Sequence, residues 1–163
     1  IMSSDWSSDV CSSDLALREA VLKAMIRTDG SILEFQGDCV IGVWPPGIAG
    51  PDHAKKAIAA ARTLVEEAPR VAADAPEVPI GIGVHTGNAY VGTVMAANSD
   101  IQEISAFGLD VNLTARLSAS AKAGEAVISE TACVAAGLGE EGAPPKPYEL
   151  KGIDQPVDAR VFA

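Results

Sequence analysis

The segment FGLDVNLTARLS, residues 107–118, places an amide and a guanidinium four positions apart, at Asn112 and Arg116. On a helix these side chains project from the same face, next to an apolar stripe formed by Leu113 and Leu117. Side by side near a helix start, they could anchor a sugar and a phosphate. Exposed Asn and Arg are common on helices, so the pair alone is more typical of a solvated surface.

A second segment, ILEFQGDCVIGVW, puts Gly37 and Asp38 between two apolar runs, residues 31–36 and 39–44. Both runs are typical of β-strands, and Gly-Asp suits a tight turn, so a β-hairpin is predicted. A turn is enough to explain Asp38. Whether this carboxylate has a further role depends on what the rest of the chain places near it.

The elements that must position these residues follow from the hydrophobic pattern. Helical spacing predicts helices over 15–27, 52–68, 111–121 and 130–136, and alternation predicts strands over 80–85, 89–94, 104–107 and 126–129, with a closing hairpin at 148–150 and 157–162. Gly87-Asn88 is expected to turn the strand at 80–85 into the next one. This order predicts an α+β fold, with helices on one face of an antiparallel or mixed sheet.

Composition excludes several classes of protein. With 163 residues, 48% of them apolar and 4% aromatic, the chain suits one layered domain. A net charge of -10 argues against nucleic-acid binding, which needs Lys and Arg against the phosphates. The three cysteines form no CxxC pair, so neither a disulfide framework nor a zinc site is indicated, and reduced thiols in a cytoplasmic protein are expected.

The N-terminal segment differs from the rest of the chain. Residues 3–14 read SSDWSSDVCSSD, a Ser/Asp tract without helical or strand period, so we expect residues 1–14 to be foreign to the domain or disordered. The domain then covers residues 15–163. No apolar run approaches the roughly 18 residues that span a bilayer, so no membrane contact is expected from this segment, although a larger parent could be membrane-anchored.

In order along the chain, FQGDCVIGVW, VPIGIGVHTGNAYVG, FGLDVNLTARLS and YELKGIDQPVDARVF resemble the catalytic domain of class III adenylate/guanylate cyclases. The resemblance covers residues 15–162. It implies a ferredoxin-like α+β fold and a head-to-tail homodimer. It also implies conversion of ATP or GTP to the 3′,5′-cyclic nucleotide plus pyrophosphate in intracellular signal transduction.

The resemblance also implies roles for five residues. Asp38 matches a metal ligand for Mg²⁺ or Mn²⁺, Asn112 the residue that orients the ribose, and Arg116 the residue that stabilises charge on the α-phosphate. Glu34 and Ser105 match the positions that read the purine base. Glu34 is similar to the guanylate type, whereas Ser105 fits neither type, so the base preference stays open.

Two further departures from the family concern substrate and metal. Ile153 occupies the position where many cyclases carry a phosphate-binding lysine, and Lys151 lies nearby without matching it. The family's first strand, with its other metal aspartate, has no counterpart in residues 1–14, so the chain as given is expected to have little or no activity. The alternative function is a catalytically degenerate cyclase-homology module that dimerises or senses nucleotide.

Two other residues are expected to be structural. His85 lies on the glycine face of its strand without another metal-binding side chain at ligand spacing. Trp44, before two prolines, is expected to pack at a strand end.

Overall fold

The computed structural model describes residues 8–36, 39–74, 80–95 and 102–163. The helices are α1 Ser8–Arg27, α2 Pro46–Ala49, α3 His53–Asp74, α4 Leu109–Ser120 and α5 Glu130–Ala135. The strands are β1 Ser31–Gln36, β2 Cys39–Val43, β3 Gly81–Val84, β4 Tyr90–Met95, β5 Gln102–Phe107, β6 Glu125–Ser129, β7 Lys146–Tyr148 and β8 Val157–Phe162. Among these residues, no helix combines the length and apolarity needed to cross a membrane.

The main sheet has the strand order β3-β6-β8-β7. β3 and β6 run parallel, whereas β8 is antiparallel to both β6 and β7. Strand β6 is central and buried, because both its edges are paired and helices pack on it. The α+β class and the mixed sheet expected from the sequence are confirmed. The expectation of helices on one face is wrong, because α3 and α5 pack on Ala126 and Ile128 of β6 and α4 packs on Val127, which points to the other face. The closing hairpin is present as β7 and β8, with its first strand at Lys146–Tyr148 rather than at 148–150.

The described strands form two further ladders, both antiparallel hairpins. The first pairs β1 with β2, as predicted, and shifts register between Ile32 and Glu34. The second pairs β4 with β5, so the expected hairpin of β3 with β4 is wrong. Strand β3 pairs instead with β6, because the aliphatic side chains on one face of β3 join the core that β6 and α3 build.

Helix α1 begins at Ser8, so the second half of the Ser/Asp tract is helical rather than disordered. Helix propagation costs little once a helix is nucleated, and Ser and Asp only weakly oppose it. Residues 1–7 lie outside the described residues, and a domain boundary at residue 14 stays a prediction. The helix is anchored further along, where Leu17, Val21 and Met25 are buried.

Helix α3 supplies the other side of the core. Helical spacing within 52–68 predicts an apolar stripe of Ala54, Ile58, Ala61, Val65 and Ala68, and all of these are buried except Val65, which is partly buried. The helix continues beyond the predicted end, through Pro69 to Asp74. Trp44 packs against the clusters of both α1 and α3. Its indole Nε1 donates to Thr28 Oγ1 at 3.1 Å, which confirms the expected structural role.

Candidate functional site

Glu34 and Ser105, which the family resemblance assigns to the base, meet in the structure. Ser105 Oγ on β5 donates a hydrogen bond to Glu34 Oε2 on β1 at 3.0 Å, although the residues are 71 positions apart. Both side chains are half-buried. The register shift after Ile32 precedes Glu34 in β1, and such bulges re-aim the side chains that follow. The contact joins two hairpins that share no ladder.

Helix α4 lies directly against the glycine face of β3. A Cβ on Gly83 would overlap backbone atoms of Thr114 and Ser118, so only glycine permits this approach. Ser118 Oγ also donates to the carbonyl oxygen of Gly81 at 3.1 Å. The glycines noted in the sequence therefore admit a helix backbone.

The candidate catalytic pair lies on the outer face of α4. Asn112 and Arg116 are both exposed, while Leu117 is fully buried and Leu113 packs beside it. The apolar stripe thus turns inward, as the spacing predicted, and the two polar side chains share the solvent-facing side. Their exposure leaves them accessible to a ligand.

The first turn of α4 is held by Asp110, which the sequence analysis did not single out. Its Oδ2 accepts from the backbone N–H of Asn88 at 2.6 Å, and its Oδ1 lies 3.4 Å from His85 Nε2. His85 Nδ1 in turn lies 2.8 Å from Ser129 Oγ. His85 is structural, as expected, but it has a carboxylate partner 25 positions away that no local motif reveals. The one available signal was an acidic residue in a first helical turn.

Ser129 also begins the neighbouring helix. Its Oγ accepts from Ala132 N–H at 3.2 Å, which caps α5. The next residue, Glu130, forms two hydrogen bonds with the buried Arg160, at 2.6 and 2.7 Å. The hydrogen bonds from Arg160 hold the pKa of Glu130 below its ordinary value. Burial raises the pKa of the Cys133 thiol on the same helix.

The predicted metal ligand, Asp38, lies outside the described residues. Gln36 pairs with Cys39 in the ladder, so the hairpin closes at the predicted place. Within the part of the chain that the structure describes, no group of three or more His, Cys, Asp and Glu side chains could hold a metal ion. The role of Asp38 as a metal ligand stays a prediction, and a carboxylate is a donor suited to a hard divalent cation.

The position of the family's phosphate-binding lysine is filled by an apolar residue that packs. Ile153 contacts the buried cluster of Leu117, Val127, Leu150 and Ala159. Lys151 is exposed. Ile153 therefore stabilises the core where the family's lysine would reach the substrate.

The candidate residues lie apart from two clefts on the described part of the chain. Two clefts lie on either side of Arg62, against α3 and the loop before β7 and against the end of β8. Neither is lined by Glu34, Ser105, Asn112 or Arg116. The candidate site is an open surface.

Comparison with known proteins identifies one family. Residues 26–156 match the model of the adenylate and guanylate cyclase catalytic domain. The chain is 34% identical to adenylate cyclase 1 of Rhizobium meliloti (strain 1021) over 113 residues, 66% of this chain and 17% of that protein. The curated relatives that it matches are much longer, and the aligned part spans 17 to 25% of their length.

Solved structures support the fold. The guanylyl cyclase Cya2 superposes with a TM-score of 0.82 at 23% identity, covering 94% of this chain and 79% of that one. The guanylate cyclase domain of RhGC from Catenaria anguillulae, solved in complex with GTP, gives a TM-score of 0.81 at 23% identity, covering 99% and 88%. At this identity the likeness establishes the architecture alone.

Proposed function

The chain belongs to the adenylate and guanylate cyclase catalytic-domain family, and we propose that its protein converts ATP or GTP to the 3′,5′-cyclic nucleotide and pyrophosphate. The observation that supports this most directly is the hydrogen bond between Ser105 and Glu34. The family resemblance assigns both residues to one base, and they meet across two separate hairpins. The cyclic product would act as an intracellular signal.

In the proposed reaction, the ribose 3′-oxygen attacks the α-phosphorus, the bond to pyrophosphate breaks, and the 3′-hydroxyl proton leaves to solvent. Asn112 orients the ribose for in-line attack. Arg116 donates to the α-phosphate oxygens, where charge develops in the transition state. Both side chains are exposed and therefore free of competing core contacts.

Asp38 would hold a divalent cation, Mg²⁺ or Mn²⁺, as the family generally requires. When bound, the cation would neutralise triphosphate charge and favour ionisation of the 3′-hydroxyl. In the sequence, Asp38 lies between β1 and β2, which pair with each other.

Glu34 and Ser105 would read the base. A carboxylate accepts from guanine N1–H and N2–H, whereas adenine offers one donor beside an acceptor, so we expect GTP to be preferred. Replacement by the adenylate-type residues, Glu34→Lys with Ser105→Asp, should move the ratio of kcat/KM values toward ATP. A wild-type preference for ATP, as the name of the Rhizobium meliloti relative suggests, would overturn the guanine assignment.

We further propose that two copies pair head to tail. Large apolar side chains on β4, β5 and the start of α4 are exposed: Tyr90, Val91, Ile104, Phe107 and Leu109. An exposed patch of this kind is typical of an interface. A second copy would also close the open surface around Asn112. Val91→Asp should shift sedimentation toward the monomer, while Thr131→Asp on α5 should not.

The function is tested by assaying the chain, extended by its upstream coding sequence, with ATP and GTP and Mn²⁺. We expect cyclic nucleotide and pyrophosphate in equal amounts. Asp38→Asn should abolish most turnover, whereas Asp52→Asn, at an exposed aspartate that the proposal gives no role, should leave it unchanged. No product from either nucleotide would refute the proposal.

One observation favours a second candidate, a cyclase-homology module without turnover. Ile153 packs in the core where the family has a lysine for phosphate. Nucleotide binding or dimerisation without cyclic product in the extended chain would establish this alternative.

A further inference from the structure

Asp110 is bonded at once to the loop after β3 and to His85. Its two carboxylate oxygens face different partners, the N–H of Asn88 at 2.6 Å and His85 Nε2 at 3.4 Å. Gly87 makes room for the carboxylate, because a Cβ there would overlap it. Only a glycine at position 87 leaves space for the Asp110 carboxylate against this loop.

His85 connects Asp110 to the buried core. The His85 side chain is 8% exposed. Ser129 Oγ, which accepts from the N–H of Ala132, lies 2.8 Å from His85 Nδ1. The other ring nitrogen of His85, Nε2, faces Asp110. Helix α4 is therefore tied to the fully buried Ser129 in the central strand β6.

The contacts of Asp110 act at the first turn of α4, just before Asn112. Asp110 precedes Asn112 by two residues and Arg116 by six. Rotation of a helix by about 10° moves atoms 5 to 6 Å from its axis by about 1 Å. A misplacement of about 1 Å can lower a rate by about 100-fold.

We propose that Asp110 and His85 are positioning residues that fix the rotation of α4, and so place Asn112 and Arg116 against the substrate. The inference rests on the proposed cyclase function. Neither residue touches the nucleotide. Both act through the helix that carries the residues that do.

The matched pair of variants is Asp110→Ala and Ser118→Ala. Each removes a hydrogen-bonding side chain that docks α4 on the strand or loop beneath it, one at the start of the helix and one near its end. In the extended chain, Asp110→Ala should lower kcat roughly 10- to 100-fold. KM should stay within about threefold, because the lost alignment acts mainly in the transition state. Asp110→Asn, which keeps one acceptor oxygen, should recover part of kcat.

Ser118→Ala should lower the melting temperature by a similar amount and leave kcat near wild type. An equal loss of kcat in both variants would overturn the positioning role, because it would reflect stability alone. Hydrogen exchange on the 163-residue chain gives a readout independent of activity. Asp110→Ala should speed exchange of the amides of residues 112–114, and Ser118→Ala should not.

Unchanged exchange in Asp110→Ala would overturn the inference, whatever the turnover. Absence of cyclic product from the wild-type extended chain would refute the cyclase function instead. The exchange result would still decide whether Asp110 fixes the helix.

Discussion

The main sheet and the two hairpins differ in how far their side chains are buried. In β6, residues 126–129 are fully buried, with β3 and β8 on their edges and helices against them. In the hairpins β1–β2 and β4–β5, most described side chains are half-buried or exposed, and Tyr90 is 80% exposed. Side chains of β6 are therefore covered by the rest of the chain, whereas many hairpin side chains face solvent.

The residues proposed for chemistry follow this division. Glu34 and Ser105 lie on the hairpins, and Asn112 and Arg116 lie on the outer face of α4. Asp110, His85 and Ser129 join the outer layer to the sheet. A rigid interior with functional groups at its margin is the arrangement that holds ligand-binding side chains most accurately.

The largest expected effect tests the interior. Ile128 is fully buried and pairs with Val84 on one side and Arg160 on the other. Ile128→Ala should lower the free energy of unfolding by about 2 to 5 kcal/mol, because it removes buried apolar surface and leaves a cavity. Urea unfolding measures it. The control Val134→Ala, at a side chain on α5 that is 71% exposed and lies outside the proposed dimer interface, should cost under about 0.5 kcal/mol. Equal costs would contradict the assignment of Ile128 to the buried core.

The second prediction tests the outer layer. Arg116→Ala should lower kcat of the extended chain about 100- to 1,000-fold, as expected when a donor to transition-state charge is removed. The melting temperature should not change, since Arg116 is exposed. The control is Lys122→Ala, which removes an exposed positive charge just beyond the end of the same helix and should leave kcat unchanged. A lower melting temperature for Arg116→Ala would show that Arg116 stabilises the fold, and would contradict a purely functional role.

Local pattern was enough to predict several elements of the fold. The hairpin around Gly37-Asp38, the α3 stripe and the β7–β8 ladder all follow from short-range spacing. The partner of β3 did not, because the choice between β4 and β6 depends on which strand can bury the aliphatic face of β3. That is a property of the assembled core, not of the Gly87-Asn88 turn.

The candidate site was predictable in part. The approach of Glu34 to Ser105 was implied by family resemblance and by no local signal, because 71 residues separate them. The link from Asp110 through His85 to Ser129 was missed, since each member looks ordinary in its own segment. Asp38 lies outside the described residues, and its role stays a prediction.

A third prediction concerns acid stability at the edge of the interior. The pKa of Glu130 is lowered from 4.5, first by the hydrogen bonds from Arg160. Because the folded pKa lies below the unfolded one, the contribution of the pair is complete above about pH 4.5 and is lost as pH falls through the lowered value. Glu130→Gln should therefore melt below wild type at pH 7, with the gap closing under acid. The exposed Glu149→Gln should show no gap at either pH.

The smallest expected effect is a difference in labelling rate between a thiol on a hairpin and a thiol in the buried core. In a Cys11→Ser background, iodoacetamide at pH 8 should label the exposed Cys39 on the hairpin and spare Cys133, which is 1% exposed and whose thiol pKa is raised by burial. Mass spectrometry over time gives both rates. Comparable rates would mean that the interior opens under native conditions. Since Cys39 follows Asp38 directly, nucleotide with Mn²⁺ should slow its labelling and leave Cys133 unaffected, which would place the substrate near the β1–β2 hairpin.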